Sequence, residues 1–221
     1  MTSLQTRAGR MAAEAGFLGV PLADFETGGR LQLEALQHLG LRPEMTVLDL
    51  GCGCLRAGYW LIHFLDPGRY CGIEPRRDRV ELGLRHLLEP GVVEAKRPRF
   101  DHNQEFDSSV FGMRFDFFLA RSIWSHAAKP QISGMLDEFV RDGRPSGVFL
   151  ASYLPAGPGR PDYQGASWVG TSHESDQPGV VYHDARWIRE QCHARGLSVD
   201  PLGRFDFGGQ AWLLIRAPSP P

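Results

Sequence analysis

The sequence predicts an α/β fold: a mainly parallel seven-stranded sheet with helices on both faces and an antiparallel last strand. Three observations carry this expectation. From residue 46 onward, short apolar runs rich in strand formers alternate with segments of helical spacing. One of the runs, FDFFLARSI from Phe115, is almost continuously apolar, as suits a buried parallel strand covered on both faces. The connections are short, and right-handed crossovers of that length leave little alternative to parallel neighbours.

Two helices are expected ahead of the sheet, over residues 4–15 and 29–39, the second with apolar positions at Leu31, Leu33, Ala35, Leu36 and Leu39. TVLDLGCG then reads as a strand ending abruptly in glycines, and 57–65 as the helix that follows it. Asp66-Pro67-Gly68 stops that helix, and RYCGIEP is a second strand closed by Pro75. A helix over 78–88 and a short third strand over 97–100 come next. FDFFLARSI is the fourth strand with 131–140 as its helix, and the run from Gly147 is the fifth strand.

Residues 154–183 lose the apolar period and fill with Gly, Pro, Ser and aromatics, which predicts a long loop or small lid. A helix over 184–195 ended by Gly196, a strand over 197–201 and the last strand AWLLIRA complete the chain. One domain is expected for 1–221, with N-terminal helices over 1–40, a core over 46–153, the insertion over 154–183 and the C-terminal elements over 184–217.

A chain with 42% hydrophobic and 23% charged residues belongs among ordinary folded proteins. Its net charge of -2 offers no footprint for a polyanion, which disfavours nucleic acid as a partner. The four cysteines, Cys52, Cys54, Cys71 and Cys192, form no paired C-x-x-C knuckles, which argues against structural zinc and a disulfide framework. The first residues, MTSLQTRAGRMAAEAGF, lack a signal-peptide core, and no segment approaches the ~20 apolar residues of a membrane span, so the cytoplasm is the expected location.

In open α/β sheets, ligands bind outside the carboxyl ends of the strands, where Gly51, Gly53 and Glu74 fall. Glycines there let the backbone turn sharply against a ligand, and a carboxylate ending the second strand can accept hydrogen bonds from both hydroxyls of a ribose. An adenosine-type cofactor is implied. A dinucleotide fingerprint wants G-x-G-x-x-G/A, and GCGCLR puts Arg56 at the third glycine, which disfavours NAD and FAD.

TVLDLGCGCLRAG, followed by GIEP, resembles instead motif I and the acidic motif II of the class I S-adenosylmethionine-dependent methyltransferases, a Rossmann-like family with the pattern D/E-x-G-x-G-x-G. The resemblance implies S-adenosyl-L-methionine as cofactor. It also implies that Asp49 organises the loop and the methionine end, that Gly51, Cys52 and Gly53 form the loop, and that Glu74, with Pro75 beside it, holds the ribose. The departure is placed at Cys54, where many members have a third glycine, with Gly58 arriving later. By position alone, Asp101, His102 and Asn103 are expected near the adenine, and Arg121 and Ser122 near the transferring methyl.

His126 and His183 are the candidate general bases for an acceptor that must lose a proton, each weighed against an ordinary structural role. Trp124, Tyr163, Trp168 and His173 are candidates to line an acceptor pocket, although aromatics with one polar end are more often core or interface residues. Ala120, Arg121 and Ser122 stand where metal-assisted O-methylation needs aspartate or asparagine ligands, so no metal is expected. LARSIW also lacks the N/D-P-P-Y/F signature of enzymes that methylate nucleobase amines, which points to a small-molecule acceptor. The rivals are an NAD(P)-linked oxidoreductase on the same sheet and a non-catalytic cofactor-binding module; a homodimer is the default assembly.

Overall fold

The computed structural model describes residues 3–16, 18–19, 21–171, 178–203 and 209–217. Its strands are β1 (Val47–Leu50), β2 (Tyr70–Ile73), β3 (Arg99–Asp101), β4 (Phe115–Ala120), β5 (Gly143–Tyr153), β6 (Ser198–Pro201) and β7 (Ala211–Arg216), in the order β3-β2-β1-β4-β5-β7-β6. This is the expected seven-stranded, mostly parallel sheet, and its antiparallel member is β7, which runs against both β5 and β6. The chain forms two compact units, residues 1–102 and 103–221. Among the described residues, no helix is long and apolar enough to cross a membrane.

In the first unit, β1 pairs in parallel with β2, Asp49 opposite Gly72, and β2 pairs in parallel with β3. The helices are α1 (Leu4–Ala15), α2 (Phe25–His38), α3 (Arg56–Phe64), α4 (Arg77–His86) and α5 (Val92–Lys96). Ser3 caps α1 by accepting from the Thr6 amide at 3.2 Å. The second helix starts four residues ahead of its sequence-predicted start, so Gly28 and Gly29 lie inside it. Two interior glycines cost about 1 kcal/mol each against alanine. Packing explains the second of them, since a methyl on Gly29 would stand 2.2 Å from the Arg56 carbonyl oxygen.

Helix α5 is absent from the sequence expectation. It is five residues long, bracketed by Gly91 (φ 84°) and Arg97 (φ 50°). Its Lys96 ammonium donates to the carbonyls of His63 and Leu65 at 2.8 and 2.7 Å, satisfying acceptors at the end of α3 that have no intrahelical partner. Because Arg97 takes a left-handed conformation, the third strand begins at Arg99 rather than at 97.

In the second unit, β5 pairs in parallel with β4 and antiparallel with β7. It begins at Gly143, four residues before Gly147, and its register against β4 shifts between Phe115 and Phe117, with Ser146 at φ 61° within the irregular stretch. Helix α6 (Lys129–Asp142) opens with the Gln131 side-chain oxygen accepting from the Ala128 amide, and α7 (Ala185–Ala194) is capped by Asp184. Phe118, Phe139 and Phe149 close on one another with ring centroids 5.2 to 5.7 Å apart. Such aromatic contacts add roughly 0.5–1.5 kcal/mol each to the area they bury. The region expected to be a loop or lid is partly ordered by isolated bridges, Pro155 with His183 and Asp162 with Tyr182, and by the Lys129–Asp162 ion pair at 2.6 Å.

Candidate functional site

Strand β1 is buried along its whole length and carries Asp49 into the interior at 4% exposure. The chain then turns sharply. The amides of Gly51 and Cys52 both donate to the Ile73 carbonyl, and Gly51 (φ 69°) and Gly53 (φ 54°) are left-handed. A third left-handed residue follows at Leu55 (φ 61°), directly before α3. The third glycine of the pattern D/E-x-G-x-G-x-G therefore falls at Leu55, which corrects the sequence placement at Cys54. A leucine held there costs about 1–2 kcal/mol; its complete burial offsets this by a similar amount, about 2 kcal/mol.

Glu74 ends β2, and its carboxylate ties the turn together. Oε2 accepts from the Gly53 amide at 3.0 Å and Oε1 from the Arg76 amide at 3.1 Å. The Glu74 amide donates to the Asp101 carbonyl at 3.1 Å, and His102 Nδ1–H donates to the Glu74 carbonyl at 2.7 Å. The structure thus brings Asp49, Gly51, Cys52, Gly53, Glu74, Pro75, Asp101 and His102 to one end of β1, β2 and β3. Each Glu74 oxygen retains a further acceptor site, which a vicinal diol can fill. Asn103 acts locally, its side chain closing a turn onto both backbone groups of Asp107.

Tyr70, which sequence reasoning passed over, and Arg56 and Gly58, to which it gave no role at the site, complete this end. Tyr70 Oη donates to Asp49 Oδ2 at 2.9 Å, and both groups are buried. Burial pushes the Asp49 carboxyl up to about 7, against the downward pull of the Tyr70 hydrogen bond and of the Arg56 charge. Burial likewise pushes the Arg56 guanidinium down to about 10. Behind the turn, Gly58 leaves room for Tyr70: a methyl there would lie 2.7 Å from Tyr70 Oη and 3.1 Å from Leu55 Cβ. Gly58→Ala is therefore expected to lower stability by about 1–3 kcal/mol, despite alanine's better helix propensity. A urea midpoint at or above that of the parent protein would refute this.

In the second unit, a polar network gathers where β4 and β5 end. The Ser122 amide donates to Ser152 Oγ at 2.8 Å, Ser152 Oγ donates to Gln210 Oε1 at 2.7 Å, and Gln210 Nε2 donates to Ser122 Oγ at 2.8 Å. Arg121 also donates to Ser122 Oγ and lies over the Trp212 ring, 5.8 Å from its centroid. Ser122 is left-handed at φ 61°. Arg121 and Ser122 stand among the sequence candidates; Ser152 and Gln210 do not, and Gln210 precedes β7 in a stretch without periodicity.

Both histidine candidates have structural roles. His126 bonds through Nδ1 to the Val169 carbonyl at 2.8 Å while its own carbonyl accepts from the Val169 amide, and the Gly179 backbone also bonds its ring. It stacks on Trp168, which stacks in turn on Phe106. His183 is fully buried and donates through Nε2 to the Ala127 carbonyl at 3.0 Å. Burial holds both imidazoles below the ordinary histidine value. The placement of His183 corrects the expectation of a base facing an acceptor, because no surface of the ring is open.

Trp124 is likewise a core residue, fully buried and edge-on to Phe149, so it lines no open pocket. Tyr163 donates through its hydroxyl to the Ser167 carbonyl, closing its own loop. His173 lies outside the described residues. Among the described residues, no group of three His, Cys, Asp or Glu side chains stands together as metal ligands would, and all four cysteines are free and buried.

No protein-family model matches the chain. Several solved structures share its fold. The magnesium protoporphyrin IX methyltransferase of Synechocystis PCC 6803, with bound SAH, matches with a TM-score of 0.63 at 15% identity, over 96% of this chain and 93% of that one. DhpI in complex with SAH matches with a TM-score of 0.62 at 15% identity, over 99% and 94% of the two chains. Human N-acetylserotonin methyltransferase in complex with SAM matches with a TM-score of 0.58 at 16% identity, over 98% of this chain and 57% of that one. The fold is that of the class I S-adenosylmethionine-dependent methyltransferases, as the glycine turn and GIEP led one to expect.

Proposed function

We propose that this chain is an S-adenosylmethionine-dependent methyltransferase acting on a hydroxyl or amine of a small molecule. The observation that carries the reading is Glu74, whose carboxylate is fixed by the Gly53 and Arg76 amides at the end of β2, against a turn whose glycines are left-handed. Neighbours in fold space that were solved with SAM or SAH, and whose names concern a porphyrin and N-acetylserotonin, support both the cofactor and the size of the acceptor.

When bound, the cofactor supplies a methyl group already made electrophilic by its sulfonium. The chain's own residues then have to bind, orient and exclude water. Glu74 accepts from the ribose hydroxyls, Asp101 and His102 flank the adenosine side, and Asp49 serves the methionine end. Within the second unit, Ser122 and Gln210 present a hydroxyl and an amide suited to hydrogen-bonding an acceptor's heteroatom. Catalysis in this reading is mainly positional and independent of a metal, since Ala120, Arg121 and Ser122 replace the carboxylates and amides that a metal would need. A cytoplasmic location and a role in tailoring natural products belong to the same proposal.

Titration calorimetry with S-adenosylmethionine and S-adenosylhomocysteine, with NADH and NADPH as controls, tests it. Binding confined to the first pair, followed by methyl transfer to a member of a hydroxy- and amino-compound panel, is the expected result. Binding confined to a nicotinamide would establish the oxidoreductase instead, and cofactor binding without turnover on any acceptor would leave a binding module.

A further inference from the structure

In the second unit, the neighbours of the Ser122 hydroxyl fix which way it can bond. The Ser125 hydroxyl donates to the Ser122 carbonyl at 3.2 Å, so it meets Gln210 only as an acceptor, from Nε2 at 3.4 Å. The Ser152 hydroxyl accepts from the Ser122 amide and donates to Gln210 Oε1. Both serines are fully buried, and together they hold the Gln210 amide in one orientation, with its nitrogen toward Ser122. A hydroxyl oxygen has two lone pairs and one proton. On Ser122 Oγ the Gln210 amide takes one lone pair and the Arg121 guanidinium takes the other. The proton remains, and among the described residues no group accepts it, although Ser122 is only half-buried.

Ser122 therefore offers a donor and nothing else. The cation bonded to its oxygen polarises the O–H and strengthens it as a donor, and Arg121 is itself seated over the Trp212 ring. A donor backed by a positive charge matches a ligand oxygen that carries negative charge. We propose that Ser122, backed by Arg121, holds a carboxylate, and that the acceptor is a small carboxylic acid methylated to its ester. The inference rests on the methyltransferase reading and narrows its hydroxyl-or-amine acceptor to a carboxyl oxygen. A second observation agrees with it. His126 and His183, the residues weighed as general bases, are both tied to backbone carbonyls, and a carboxylate, already ionised near neutral pH, has no proton for a base to remove. In the transfer, a lone pair of the carboxylate oxygen forms the bond to the methyl carbon while the carbon–sulfur bond breaks and its electrons pass to sulfur. Carboxylate and sulfonium become ester and thioether, both neutral, and no proton is released.

The test scores methyl transfer from S-adenosylmethionine to a panel of small carboxylic acids, with the matching amines and alcohols beside them, and treats the products with alkali. The expected product comes from a carboxylic acid and releases methanol in alkali, as methyl esters do and methylamines and methyl ethers do not. Transfer to amines or alcohols alone, or to no carboxylic acid of the panel, would overturn the inference. Titration of the best carboxylate into the S-adenosylhomocysteine complex gives a readout without turnover. Ser122→Gly removes the hydroxyl and is at ease with the left-handed backbone at φ 61°. It is expected to weaken the carboxylate by roughly 10- to 100-fold, as for the loss of a hydrogen bond to a charged group. Its affinity for S-adenosylhomocysteine should stay within about twofold of the parent's, which also shows that the protein still folds. Gln210→Glu gives the Ser122 proton an internal acceptor and adds a negative charge, so it should weaken the carboxylate at least as much, whereas it would strengthen an amine. Parental affinity for the carboxylate in both variants would overturn the inference. Failure of the parent protein to bind S-adenosylhomocysteine would overturn the cofactor reading itself, a result distinct from these.

Discussion

Glu74→Ala is expected to abolish measurable binding of S-adenosylhomocysteine, with an affinity loss above about 100-fold, and to lower the melting temperature by several degrees. Two effects combine. The variant loses the acceptor proposed for the ribose diol, and it strands the Gly53 and Arg76 amides that the carboxylate now satisfies. Each orphaned amide costs about 1–3 kcal/mol where it stays out of water. Glu74→Gln separates the two effects, because one side-chain oxygen can still serve one amide: it should recover much of the melting temperature and little of the affinity. Binding by Glu74→Ala at parental strength would remove the residue from the cofactor's site.

Asp49→Asn should move stability and binding in opposite directions. In the ligand-free protein the Asp49 carboxyl is raised from 3.8 to about 7, so the folded state holds a proton that the unfolded chain has released across that window. The stability this group contributes is complete below its unfolded value and is lost as pH rises through about 7; a rise of that size corresponds to about 4 kcal/mol as an upper bound. His126 and His183 act with the opposite sign: both are lowered, so their contribution is present above the ordinary histidine value and is lost as pH falls. Asparagine keeps an acceptor for Tyr70 and removes the buried charge. Urea unfolding near pH 8 should therefore show the variant more stable than the parent by about 2–4 kcal/mol, and near pH 5 that gap should shrink by more than half. Calorimetry should show cofactor binding lost. A variant equally destabilised at both pH values would mean that Asp49 acts through packing instead.

Much of this is legible in the sequence because it is written at short range. TVLDLGCG and GIEP each combine a strand with its terminating residue, and the glycines and Glu74 lie where those strands end. The strand order needs only the alternation of elements and the handedness of crossovers. What escapes is set by contacts distant in sequence. Helix α5 is too short to show a period, and its Lys96 acts on carbonyls more than thirty residues away. Tyr70 looks like any strand aromatic until Gly58 opens space for its hydroxyl at Asp49. Gln210 joins Ser152 and Ser122 only through the pairing of β7 with β5. For His183 and Trp124 the sequence leaves a structural and a chemical role both open, because nothing in their neighbours' residue types discloses full burial. Arg56 is visible as a residue that breaks a dinucleotide pattern, but the action of its charge on Asp49 is a property of the folded chain alone.

The two thiols of the glycine turn have a bearing on the protein's own durability. Cys52 and Cys54 flank Gly53, and burial raises both thiols, Cys52 well above the ordinary value with the charges of Asp49 and Glu74 adding to the effect. The thiolate, not the thiol, is the nucleophile and the metal ligand. By raising Cys52 and Cys54 above the ordinary value, the fold leaves the turn without a reactive thiolate at neutral pH.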